Sequence, residues 1–161
     1  MRRLLRFWLL TRREKLLLCE AGLVLLLSNL CVRTIAFRYI DGFLRGHWKE
    51  GSGGALNCDD IALVNISLSR AANLLPWKSL CLSRSITAFI MLRRRGIPAV
   101  MFSGVRSSED SSLRAHAWVL TARGAIGGDS ENTAFTPLVR IGPEPVDAEL
   151  GAESVRFRSD Q

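Results

Sequence analysis

Apolar residues recur at helical spacing over the first half of the chain and gather into short β-rich runs over much of the second. Residues 1–10 interleave Arg2, Arg3 and Arg6 with Leu4, Leu5, Phe7, Trp8, Leu9 and Leu10, the pattern of a short amphipathic helix. Thr11, with Glu14 three residues on, gives a capping-box start for a second helix running to about Arg33. A third helical segment, Thr34 to Leu44, carries Ile35, Phe37, Ile40, Phe43 and Leu44. Gly51-Ser52-Gly53-Gly54 then breaks the pattern. Asp59 and Asp60 cap a helix whose apolar face is Ile61, Val64, Leu68, Ala71, Ala72 and Leu75, and Pro76 stops it. The next helix starts near Ser79 to Cys81. Arg93-Arg94-Arg95, Gly96 and Pro98 are three agreeing stop signals for it. Strands are predicted over Ala99–Val105, His116–Thr121, Ala125–Gly128 and Phe135–Ile141, with a polar loop at Ser107–Ser112 and a turn at Ala122-Arg123-Gly124.

One helix bearing a cysteine, packed on a small antiparallel sheet bearing a histidine, is an α+β arrangement. The pattern divides the chain into a helical head over residues 1–50, a domain over 55–141 and a weakly ordered acidic tail over 142–161. Length allows one domain with a helical extension, and a hydrophobic fraction of 48% is enough for a core.

Charge adds an asymmetry. The net charge is +7, and residues 1–50 hold ten Lys/Arg against four Asp/Glu, whereas Ile141–Gln161 holds five acids and two arginines. A basic head suits an acidic partner or an anionic membrane surface. Nucleic acid is disfavoured, because the basic residues lack the aromatic interleaving of a single-strand binder. Between Glu20 and Arg33, 12 residues carry no charge. A spanning helix needs about 20. With Glu14, Lys15 and Glu20 interrupting any longer window, this is a buried or interfacial helix rather than a span.

Cysteine usage narrows the chemistry. Cys19, Cys31, Cys58 and Cys81 show no CxxC spacing, and His47 and His116 lie far apart, so no structural zinc site is expected. No signal peptide with a cleavage site is evident. Free thiols in a reducing cytoplasm follow, with no cofactor. Cys19 and Cys31 sit in apolar helical sequence and read as small buried hydrophobes; His47, beside Trp48, reads as an ordinary polar residue.

Cys81 is different because it opens a helix. A thiol is a good nucleophile only as thiolate, which unsatisfied amides at a helix N-terminus and a neighbouring imidazolium both favour. The same amides, that of Cys81 included, can supply part of an oxyanion hole. His116, on a strand with Trp118 on its face and Ala115, Ala117 and Val119 on the other, is the candidate base. Asp129, after Gly127-Gly128, is the candidate to orient the imidazole, since a hairpin turn at Arg123-Gly124 sets the two across adjacent strands; Glu131 and Asn132 are the fallbacks.

Pro76-Trp77, Cys81-Leu82, Arg84-Ser85, then Leu92-Arg93-Arg94-Arg95-Gly96-Ile97-Pro98-Ala99, Gly104-Val105-Arg106 and Ala115-His116-Ala117-Trp118-Val119, in this order, resemble the leader peptidases of lasso-peptide biosynthesis. These are transglutaminase-like cysteine proteases with a papain-type fold. The resemblance covers roughly Asp59 to Leu138. It implies Cys81 as nucleophile, His116 as base and Asp129 as third member. It also implies removal of the leader from a ribosomally made precursor, freeing the core's amino terminus for an ATP-dependent cyclase. Some members carry a fused winged-helix-like recognition module of about 80 residues. Only about 55 apolar, helical residues precede the peptidase part here, so the chain resembles the split type, which relies on a separate recognition protein. On that reading residues 1–45 dock the recognition protein, the leader or the cyclase; peripheral membrane contact through residues 1–30 is the competing role. The alternatives in function are acyl transfer to an amine, or a non-catalytic scaffold with an inert Cys81.

Overall fold

The structure is a computed structural model that describes residues 10–47, 58–75, 80–107, 113–126 and 135–142. The helix expected over 1–10, the break at Gly51–Gly54 and the acidic tail from residue 143 on lie outside them. Four helices and four strands are described: α1 (Arg12–Thr34), α2 (Phe37–His47), α3 (Cys58–Leu74), α4 (Cys81–Arg93), β1 (Val100–Ser107), β2 (Leu113–Thr121), β3 (Gly124–Ile126) and β4 (Thr136–Ile141). The fold is α+β, as the sequence predicts.

Helix α1 starts where its capping box says. The Glu14 amide donates to the Thr11 hydroxyl at 3.2 Å, and the Thr11 backbone amide donates to the Glu14 carboxylate at 2.9 Å. These bonds satisfy amides that have no partner within the helix. The Thr11 amide, the Thr11 hydroxyl and then Arg70, in that order, hold the Glu14 carboxyl below its ordinary pKa. A pKa lower in the folded state stabilises the fold above the unfolded pKa, and the contribution is lost as pH falls through the folded one. Glu14→Gln therefore flattens the acid limb of a melting-temperature profile, whereas Thr11→Ala costs about 1 kcal/mol at neutral pH.

Helix α4 is the centre of the molecule. It packs against α1 and α3 on one side and against β1 and β2 on the other. It is accordingly buried nearly all round, through Ser83, Ser85, Ile86, Thr87, Ala88, Phe89, Met91 and Leu92. The small polar members sit where α1 comes close: the Thr87 hydroxyl donates to the Ser83 carbonyl at 2.7 Å and lies 3.3 Å from the Ser28 hydroxyl. Its end is the one the sequence announces. Gly96 adopts φ 69°, and the Gly96 and Ile97 amides return to the Arg93 and Leu92 carbonyls. The arginine run there is more than a solvated helix end, because Arg94 and Arg95 both pair with Glu20 of α1.

The strands form one antiparallel sheet in the order β3-β2-β1-β4. β1 and β2 pair from Val100↔Leu120 to Ser107↔Leu113, so β2 begins three residues before the predicted strand. The hairpin supplies partners for Leu113 to Ala115, which their polar neighbours hid in the sequence. The next turn is also shifted: Thr121 pairs with Gly124, leaving Ala122-Arg123 rather than Arg123-Gly124 at its tip. Gly124 takes φ 101°, a conformation that favours glycine. β4 carries Pro137 and lies at a sheet edge, where a missing amide is tolerated.

β4 bulges against β1 between Ser103 and Gly104, and the Thr136 backbone presses onto Gly104. A methyl group there would collide with the Thr136 carbonyl and lie 3.2 Å from the Pro137 Cα. Gly104→Ala is expected to cost about 1–3 kcal/mol, read as a lower urea midpoint.

Met101, Val119, Ile126 and Ile141 on one face of the sheet join the core formed by the four helices. Val100, Phe102 and Trp118 form a second, smaller cluster, with Phe135 and Leu120 packed on it.

Candidate active site

Cys81 is the first residue of α4 and is half-buried. Leu80, the N-cap, is extended (ψ 147°) and gives no side-chain hydrogen bond; the first turn holds no acid. The side chain of Leu80 therefore caps none of the first-turn amides, and the first turn itself carries no carboxylate at the positive end of the helix. This is a place that suits a partial negative charge such as a substrate oxygen develops. The position is rigidly held because the turns that follow carry the core residues Ile86, Phe89 and Leu92.

His116 lies on β2 opposite Gly104 and is half-buried. As the alternation predicts, it shares a sheet face with Trp118 and Phe102, while Val119 turns to the helices. Its ring stacks on Trp118 (centroids 5.9 Å, 14° between planes) and meets Phe135 at 5.0 Å. Trp118 stacks in turn on Phe102 at 5.7 Å, and the Arg106 guanidinium lies 5.1 Å from the centre of Phe135. Rings on two sides restrict the imidazole.

Cys81 and His116 lie on two elements that pack against each other, α4 and β2. Phe89 reaches the Val100 end of β1, where both approach Gly142. Eight residues back along α4 from Phe89, about 12 Å at the helical rise, is Cys81. The thiol sits on the helix side of the sheet and the imidazole leaves β2 beside Trp118. Helix α4 packs on the face of Met101 and Val119, whereas the His116 ring lies on the opposite face with Phe102 and Trp118, so the two residues belong to adjoining elements but to different sides of the sheet.

Asp129 and its fallbacks Glu131 and Asn132 lie outside the described residues, as do Pro76 and Trp77. Cys19 is exposed and Cys31 half-buried, both as free thiols. Cys19 is thus not the buried hydrophobe expected of it, because α1 turns that side outward. Two neighbours of His116 escaped the sequence reading, Arg106 and Phe135. Arg106 becomes visible once β1 and β2 are written in register, because it falls on the His116 face; Phe135 precedes its strand and gives no signal. Between α1 and α4 the Asn29 amide and the Ser83 and Ser85 hydroxyls are buried without a hydrogen-bond partner among the described residues.

A central helix packed between other helices and a four-stranded antiparallel sheet is the α+β arrangement of a transglutaminase-like, papain-type domain. The chain belongs to the transglutaminase-like superfamily, whose family profile matches residues 24–140, from within α1 to within β4. This superfamily commonly includes cysteine peptidases and acyltransferases. No curated protein and no solved structure matches the chain at a significant level.

Proposed function

We propose that this protein is a cysteine peptidase that removes the leader from a ribosomally synthesised lasso-peptide precursor. The observation that carries the reading is the position of Cys81 as first residue of α4, in a turn that the Leu80 side chain does not cap, on the helix that packs against the strand carrying His116. The Cys81 thiolate attacks the carbonyl carbon at the leader–core junction, and the first amides of α4 receive the oxygen as it becomes negative. The C–N bond breaks as His116 gives its proton to the departing amine. Water then attacks the thioester, His116 takes its proton, and the leader leaves as a carboxylate with the thiol restored.

Asp129 is the proposed third member. In the sequence it follows β3, the strand that pairs with the strand of His116 through Thr121–Gly124, Leu120–Ala125 and Val119–Ile126. No cofactor takes part. A separate winged-helix-like recognition protein presents the leader, and the freed amine passes to an ATP-dependent cyclase.

The test is to incubate the purified chain with a precursor and its recognition protein and to weigh the products. Leader and core that together exceed the precursor by one water are expected. A leader joined to an added amine would favour acyl transfer instead. An unchanged precursor under conditions where the recognition protein binds it would sink both.

A further inference from the structure

Helix α1 has two apolar faces and only one of them enters the core. Leu17, Leu18, Ala21 and Leu25 are buried. On the other side Leu16, Leu23, Leu26, Leu27 and Leu30 are exposed, from 43% for Leu26 to 72% for Leu16, with Cys19 exposed among them. The helical repeat sets these residues on one continuous stripe about 21 Å long. Contiguous exposed leucine of this kind marks an interaction surface.

Charge says what the stripe faces. Arg12 at its start and Arg33 at its end are exposed. The two acids of α1 are engaged at its borders: Glu14 with Thr11 and Arg70, Glu20 with Arg94 and Arg95. The outward face is therefore leucine bounded by cations. The spacing Leu16, Cys19, Leu23, Leu26, Leu30 also suits a helix from a second copy. Two such faces, however, would bring cationic ends into one interface within a chain of net charge +7. An anionic lipid surface satisfies both features at once. The helix is long and apolar enough to cross a membrane. Its inner face is committed to α3 and α4, which leaves it to lie along a surface.

We infer that the outer face of α1 seats the protein on an anionic membrane surface, with Leu16, Leu23, Leu27 and Leu30 entering the interface and Arg12 and Arg33 meeting lipid headgroups. This holds whether or not Cys81 is a nucleophile. Seated so, the enzyme meets its peptide at the membrane rather than in free solution.

Co-sedimentation of the full chain with phosphatidylcholine vesicles, with and without phosphatidylglycerol, tests the inference. The chain is expected to pellet with the anionic vesicles and far less with the neutral ones. Combined Leu23→Gln, Leu27→Gln and Leu30→Gln weakens partitioning by about tenfold or more. Arg12→Gln with Arg33→Gln cuts the preference for anionic vesicles. The three leucines face solvent, so their variant keeps the parent's melting temperature in the absence of lipid. Equal binding by parent and leucine variant overturns the inference, as does failure to pellet with anionic vesicles. A dimer that the leucine variant converts to monomer, or a melting temperature that falls with it, also overturns it, because the face would then be covered already.

Discussion

Cys81→Ala abolishes precursor cleavage, lowering the rate by at least about a thousandfold, while the melting temperature moves little. The one other hydroxyl in the described first turn of α4, that of Ser83, is buried, so it does not replace the sulfur as nucleophile, and what remains is catalysis by binding alone. The fold tolerates the change because Cys81 is half-buried at a helix end, outside the main core. His116→Gln gives a loss of similar size, and its effect combined with Cys81→Ala is no greater than either alone, since the two act as one unit. Glutamine is the better probe than alanine. It keeps bulk against Trp118 and Phe135, so lost cleavage is not confused with lost packing. Product formation by mass spectrometry, in the presence of the recognition protein, is the readout.

The largest effect on stability is expected from Phe89→Ala. This ring is 1% exposed, lies on the central helix and reaches the Val100 end of the sheet beside Gly142. Deleting a buried phenyl group costs about 3–5 kcal/mol, through lost transfer free energy and the cavity left behind. That is a large part of the total for a domain of this size. A urea titration followed by far-ultraviolet circular dichroism measures it. The surviving folded fraction should still react at Cys81, eight residues away on the opposite end of α4. Loss of stability and loss of chemistry are thereby separable, whereas a Cys81 that falls silent with Phe89→Ala would mean that the helix start depends on this one contact.

Local signals carried most of the fold. Thr11 with Glu14, the arginines before Gly96, and the period of Ile61, Val64 and Leu68 each state a boundary or a face within a few residues, and each is found as read. Pairing is different. The early start of β2 and the turn at Ala122-Arg123 are decided by what lies across the sheet, and a one-residue shift leaves no mark on the strand's own pattern. The same holds for α1. Its leucines show that the helix is apolar, but two opposite apolar faces give no single stripe, and only packing against α3 and α4 tells which enters the core. Glu20, isolated in that apolar run, is explained by Arg94 and Arg95 coming from seventy and more residues away.

At the site, the residue types were legible and their surroundings were not. A cysteine after a stop and before a helical run is a local signal, and so is a histidine on an alternating strand. The aromatic walls around His116 come from three separate strands or strand ends, Phe102, Trp118 and Phe135, and need the register of the whole sheet. The Gly104 opposite His116 needs the bulge of β4 as well.

The central claim is that Cys81 is a nucleophile made reactive by its helix end and by His116. Alkylation by iodoacetamide at pH 6, with the modified residue assigned by mass spectrometry, tests it most directly, because an ordinary thiol with a pKa of about 8.5 is almost wholly protonated there. Cys81 is predicted to react at least tenfold faster than the exposed Cys19, and to lose that advantage in His116→Gln. A Cys81 that reacts no faster than Cys19, with or without His116, would contradict the account.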